Sequence, residues 1–169
     1  MSLPIEKRRR VFLAYDNSEI SKNVYQWAKQ QIFRPNTDHV VLLTITENGE
    51  GYVEPGYLQG FLSGKWGFEE RQTYLKEASQ AAQKVLDELS HELAAHDITS
   101  QAIVIKKEDA GEAIVEATKE LNADLLILGS RGLHPLKKAF MGSVSSHCIE
   151  KCDCPVLVHK GQPPKAKLH

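Results

Sequence analysis

Residues His39 to Thr46 read HVVLLTIT, apolar nearly throughout instead of alternating. A strand with one wet face alternates apolar and polar side chains, whereas a strand apolar on both sides is covered on both faces. Four more runs of strand length share that character: Arg10–Tyr15, Ile98–Lys106 with Ala102-Ile103-Val104-Ile105 at its centre, Ala123–Leu128, and Pro155–His159. Helix-period segments separate them, so the order is β-α-β-insert-α-β-α-β-loop-α-β. Buried strands alternating with helices imply a parallel sheet with helices on both faces. Five such strands fit one doubly wound sheet, in which ligands bind beyond the carboxyl ends of the strands, where the strand order reverses. Asp16, Thr46, Asp109 and Gly129 each stand where a strand ends and are predicted to gather at that edge.

The helices are read from stripes of apolar residues three to four positions apart. Ser18 or Asn17 caps a first helix that turns Ile20, Val24, Trp27, Ala28 and Ile32 inward and ends at Arg34-Pro35-Asn36. A long second helix, about Glu70 to His96, carries Leu75, Ala78, Ala82, Val85, Leu86, Leu89 and Leu93 on one face. A third buries Ala113, Ile114, Ala117 and Leu121 before Asn122 ends it, and a last one, Ser143 to Lys151, is expected to bury Val144, Cys148 and Ile149. Between the second strand and the long helix lies Glu47–Glu69, where six glycines interleave with Tyr52, Tyr57, Phe61, Trp66 and Phe68. A connection of that length is functional or disordered more often than not. A surface insertion with its aromatics folded onto the core is the plainer reading; a lid or partner-binding patch is the sharper one. One domain over residues 1–169 is expected, with a core at 10–160, the insertion at 47–69 and a frayed tail at 161–169.

Charge excludes some partners. Lys+Arg of 21 against Asp+Glu of 22 leaves a net charge of −1, so no global field draws the chain to nucleic acid or anionic lipid. The longest apolar runs are strand-sized, short of a membrane span. The N-terminal MSLPIEKRRR has no apolar segment after it to make a secretory signal. Three cysteines, an odd number, do not make a disulfide framework. A reduced, cytoplasmic protein is the expectation.

The chemistry is concentrated in Gly129–Ser146, GSRGLHPLKKAFMGSVSS. It follows the fourth strand and runs into the start of a helix, the arrangement in which backbone N–H groups wrap a phosphate. Gly129 and Gly132 permit positive φ and close approach to an oxyanion. Gly142-Ser143 opens the next helix, whose unpaired N–H groups and positive dipole end meet a polyphosphate. Ser143, Ser145 and Ser146 offer hydroxyls, and Arg131, Lys137 and Lys138 supply steering charge. The spacing by itself fits a glycine turn followed by serine capping as well as it fits a phosphate cradle.

Glycine, two residues, glycine, nine residues, then glycine-serine after a fourth parallel strand resembles the ATP-binding signature of the universal stress protein family. The likeness extends over Arg10 to Lys160, through Tyr15-Asp16-Asn17-Ser18, Asp124–Gly132 and Cys154-Pro155-Val156-Leu157-Val158. It implies a Rossmann-like sheet of the adenine nucleotide alpha hydrolase-like kind, with strand order 3-2-1-4-5. It also implies a bound adenine nucleotide, ATP or else AMP or ADP, with Mg²⁺ as a possible companion. Tyr15 and Asp16 would flank adenine and ribose, and Ile45 would touch the adenine. Gly129, Arg131 and Gly132 would line ribose and phosphates, while Gly142, Ser143, Val144 and Ser145 would bind phosphate. Members that carry these glycines bind ATP, and many pair as homodimers through the last strand, here Pro155–His159. The Glu47–Glu69 insertion departs from the compact members.

Other signals are weaker. His147, Cys148, Cys152, Cys154 and His159 lack the paired knuckles of a zinc site and read as buried thiols. Lys7-Arg8-Arg9-Arg10 reads as a solvated lead-in to a strand. Asp16, Glu108 and Asp109 are the carboxylates near enough to the expected phosphates to share a divalent ion. Two functions remain: a nucleotide-binding regulatory protein of the stress response, or a slow ATPase or autophosphorylating phosphotransferase. No residue stands out to orient an attacking water, and the binding reading leads.

Overall fold

The computed structural model describes residues 2–46, 68–130 and 141–162. After a 3₁₀ turn at Ile5–Lys7, the elements are β1 (Arg9–Ala14), α1 (Glu19–Gln31), β2 (Asp38–Thr46), α2 (Phe68–Ala94), β3 (Thr99–Lys106), α3 (Ala110–Glu120), β4 (Leu125–Gly129), α4 (Ser143–Lys151) and β5 (Val156–His159). All four strand pairings are parallel, in the order β3-β2-β1-β4-β5. The expected strand order is the observed one.

Alternate residues of each apolar run serve opposite faces. Val11, Leu13, Val40, Leu42 and Ile127 enter one cluster with Val24, Tyr25 and Ala28 of α1 and Leu86 and Leu93 of α2. Phe12, Val41, Leu43, Leu126 and Leu128 enter the other, with Ile114 and Ala117 of α3 and Cys148 of α4. The runs are continuously apolar because both faces of the sheet are roofed. Tyr25, 1% exposed, is the core residue that the apolar stripe misses. Its hydroxyl donates to Leu89 O at 3.1 Å and Glu92 Oε2 at 2.9 Å, so a polar tip is satisfied inside the α1–α2 contact.

Several expectations shift. Phe68 and Glu69 belong to α2 and not to the insertion, whose other residues lie outside the described ones. Ile149, expected inward, is 48% exposed; the buried positions of α4 are Ser145 and Cys148, three apart on one face. Of the basic run Lys7 is solvated as expected, but the three arginines are ties. Arg8 donates to Leu3 O and Thr99 Oγ1. Arg9 forks onto the fully buried Asp38 at 3.0 and 2.7 Å and also donates to Ile32 O. Arg10 donates to Leu121 O, beyond the end of α3, and its N–H to Asp124 at 2.7 Å. Guanidinium groups at the amino edge of a parallel sheet face helix carboxyl ends, whose last carbonyls need donors.

Candidate functional site

The order of the sheet places its reversal between β1 and β4, since β2 and β3 extend one way and β5 the other. Leu13 stands opposite Ile127, so Asp16 after β1 and Ser130 after β4 leave the sheet side by side at its carboxyl edge. At the first exit, Asp16 Oδ1 accepts the Ser18 N–H at 3.0 Å, Asn17 takes a left-handed φ of 61°, and Ser18 Oγ accepts the Ser21 N–H at 3.1 Å. Ser18, not Asn17, is the cap of α1. The Asx turn orients the Asp16 carboxylate at the edge, half-exposed.

Tyr15 behaves differently from its neighbour. Its ring is 5% exposed, packed edge-on to Tyr25 with centroids 6.5 Å apart, and burial first, then Asp16, pushes its phenol up to about 12. Its carbonyl accepts the Thr44 hydroxyl at 2.6 Å. The expectation that Tyr15 and Asp16 together flank base and sugar therefore narrows, for side chains, to Asp16. Ile45 is half-buried near the end of β2, on the face roofed by α3 and α4.

The second exit is pinned. Gly129 is the last residue of β4, paired with His159, and Ser130 N–H donates to His159 O at 2.8 Å. Gly129, where a positive φ would be permitted, is ordinary strand backbone, and among the described glycines only Gly161 has a positive φ. Arg131 and Gly132, with Lys137 and Lys138, lie outside the described residues. The chain returns at Gly142, whose N–H donates to Ser130 O at 2.7 Å, so the two stems of the loop close on one residue. Ser130, given no role from sequence, is the clasp; its backbone does the work, and no side-chain pattern signals that.

Gly142 is the N-cap of α4 and makes no side-chain cap hydrogen bond. The first intrahelical bond belongs to Ser146, which donates to Gly142 O at 3.0 Å. The N–H groups of Ser143, Val144 and Ser145 thus have no acceptor within the helix, as first-turn donors must. The Ser145 hydroxyl is not turned to a ligand: it is 2% exposed and donates to Gly142 O at 2.9 Å and to Ser130 O at 3.4 Å. The single hydroxyl proton is thus taken up at the start of α4 itself, with Ser130 O the more distant acceptor. Ser143 is exposed and Val144 half-buried. Asp109 caps α3 by accepting the Glu112 N–H at 2.8 Å, and among the described residues no group of three or more His, Cys, Asp or Glu is placed to hold a metal ion.

Comparison with known proteins decides the family. Residues 7–160 match the model of the universal stress protein family. The chain belongs to that family. It is 29% identical over 152 residues to the universal stress protein A-like protein of Arabidopsis thaliana, covering 86% of this chain and 82% of that one. Its fold is similar to that of the universal stress protein UspA from Lactobacillus plantarum, with a TM-score of 0.66 at 17% identity over 91% of this chain and 99% of the other. It is similar also to a universal stress protein family protein from Arabidopsis thaliana solved with AMP bound, with a TM-score of 0.58 at 21% identity over 89% and 90% of the two chains. These solved structures share its fold. No helix among the described residues is long and apolar enough to cross a membrane.

Proposed function

We propose that this chain binds an adenine nucleotide, ATP above AMP, at the carboxyl edge between β1 and β4, and acts as a regulatory binding protein. One observation carries the reading: the glycine-headed start of α4, with no side-chain cap, opens beside the clasped stems of the glycine loop. Polar side chains cap α1 and α3, which start at the same edge; α4 instead keeps its first-turn donors for an anion. Asp16 accepts from a ribose hydroxyl, Ile45 packs on the adenine, and Gly129, Arg131 and Gly132 line the sugar and phosphates. The N–H groups of Ser143, Val144 and Ser145 take phosphate oxygens. Mg²⁺ enters only as the companion of the nucleotide. The AMP found on the Arabidopsis relative supports the choice of base.

Calorimetric titration with ATP and AMP tests the site. Gly142→Val puts a branched side chain at the phosphate turn and is expected to weaken ATP binding tenfold or more, about 1.4 kcal/mol, with a smaller loss for AMP. Unchanged ATP affinity would remove the loop from the site. Single-turnover assay of labelled ATP is expected to show no release beyond background; turnover abolished by Asp16→Ala with affinity retained would favour the ATPase reading. Pairing of two copies through β5 belongs to the same proposal. β5 is a sheet edge with four half-buried residues, and its outer backbone groups need a partner. Light scattering is expected to give twice the chain mass.

A further inference from the structure

His159 is held on two sides. Its ring stacks on Trp27 of α1, centroids 4.5 Å apart and planes at 21°, and its Nδ1 accepts the Gly161 N–H at 3.0 Å. An acceptor at Nδ1 needs its lone pair, so the ring is neutral and carries its proton on Nε2. Gly161 is locked in turn: its φ is +71°, its carbonyl accepts from Asn23 Nδ2 at 2.9 Å, and a Cβ there would stand 2.5 Å from Ile20 Cγ2. The turn after β5 is thereby folded onto α1 through a histidine that must stay uncharged.

The backbone of the same residue reaches the loop. His159 O accepts Ser130 N–H at 2.8 Å, and Ser130 O accepts Gly142 N–H at 2.7 Å. We propose that His159 is a positioning residue for the phosphate loop: its neutral ring holds the end of β5 against α1, so that its carbonyl fixes Ser130 and, through Ser130, Gly142. The proposal rests on the nucleotide reading above and adds to it a dependence on proton concentration.

Protonation works against this arrangement. A proton on Nδ1 would face the Gly161 N–H, and the charge would sit in a partly desolvated place. Burial holds the imidazole below its ordinary value. Among the described residues, the groups shown against it are uncharged: Trp27 from α1, Gly161 from the turn and Gly129, its strand neighbour on β4. Lys160 is exposed, and Glu19 and Lys22 at the start of α1 are paired with each other. The sign follows from a lowered folded-state value. The stability it contributes is full above the ordinary imidazole range and declines below it, while the contact itself opens only as pH falls through the lowered value.

Two measurements on the full chain test the idea. In the nucleotide-free protein, the His159 ring is titrated by NMR while amide-exchange protection is followed at Gly161 and Ser130. Both protections are expected to fall with His159 protonation. Loss at Gly161 with Ser130 unmoved would overturn the proposal, because the turn would then open without touching the loop. In the second measurement, ATP affinity is followed across the same pH range for the wild type and His159→Asn, whose side-chain oxygen accepts from Gly161 without titrating. The wild type is expected to lose about three- to tenfold across the histidine's titration, the worth of one hydrogen bond, and the asparagine variant to lack that break. Comparing the two cancels the protonation of ATP itself. Identical profiles would overturn the proposal. Absence of ATP binding at every pH would instead overturn the nucleotide reading, and with it any phosphate role for His159. That failure is distinguishable, because Ser130 protection would still follow the ring.

Discussion

Gly161 and Cys148 show how much a single position carries. At Gly161 the backbone is left-handed and the place of a Cβ is taken by Ile20. Gly161→Ala is expected to cost about 1–3 kcal/mol from backbone strain and overpacking, measurable as a lower urea midpoint at unchanged slope. Cys148 is fully buried, and burial first, then Cys152 beside it, pushes its thiol up to about 12. A thiol kept protonated and out of water is a poor nucleophile. Iodoacetamide at pH 8 followed by mass spectrometry of peptides is expected to leave Cys148 unlabelled in the native protein and to label it fully in urea. Both residues were visible in the sequence only as a tail glycine and a stripe cysteine. The burial of Cys148 was readable from the helix period; the positive φ of Gly161 has no one-dimensional signature.

Among the elements, the pairing of α1 with α2 has a stated electrostatic content. Tyr25 of α1 donates to Glu92 of α2, Lys29 pairs with the same carboxylate, and the Lys29 ammonium lies 5.7 Å from the Tyr25 ring centroid. Burial works against ionisation of Glu92, but the hydrogen bonds from Lys29 and Tyr25 outweigh it and hold the carboxyl below its ordinary value. A depressed carboxyl adds stability above the unfolded value and loses it as pH falls through the folded one. The stability gap between wild type and Glu92→Gln is therefore expected to be full near neutrality and to shrink below the ordinary glutamate value of 4.5, as read from urea midpoints at several pH values. Tyr25→Phe removes two bonds from one buried hydroxyl and is expected to cost about 1–2 kcal/mol. The helix caps follow the same logic on a smaller scale, with Ser18→Ala expected to cost about 1 kcal/mol.

For the molecule as a whole, the two edges of the sheet are built differently. At the amino edge, Arg8, Arg9 and Arg10 close helix ends and strand starts onto one another, with Asp38 as the buried centre: its carboxylate takes Arg9 twice and the Arg34 N–H at 2.9 Å. Removing one partner of such a pair strands the other. Asp38→Ala is expected to cost about 2–4 kcal/mol, less than a wholly buried pair because Arg9 keeps some water. At the carboxyl edge the same economy of bonding is absent at α4, where Gly142 makes no side-chain cap bond. The arginine–aspartate ties lie at the amino edge, whereas α4 begins at the carboxyl edge on a glycine.

The fold was legible in the residues because parallel strands roofed on both faces must be apolar at consecutive positions, and that pattern is one-dimensional. The strand order came with the family likeness, and the sheet has it. The glycine spacing is likewise a property of sequence, though residues 131–140 lie outside the described ones. Tertiary structure alone decided what each group near the loop does. It turned the Tyr15 ring into the core, tied the Ser145 hydroxyl to the start of α4, and made Ser130 the clasp through its backbone. It also brought His159 from the end of the chain to the loop, thirty positions away. These assignments depend on which atoms meet across the β1–β4 reversal and across β4–β5. A hydroxyl or an imidazole has the same identity in the sequence whether it faces a ligand or a carbonyl, so only the packing around it settles which.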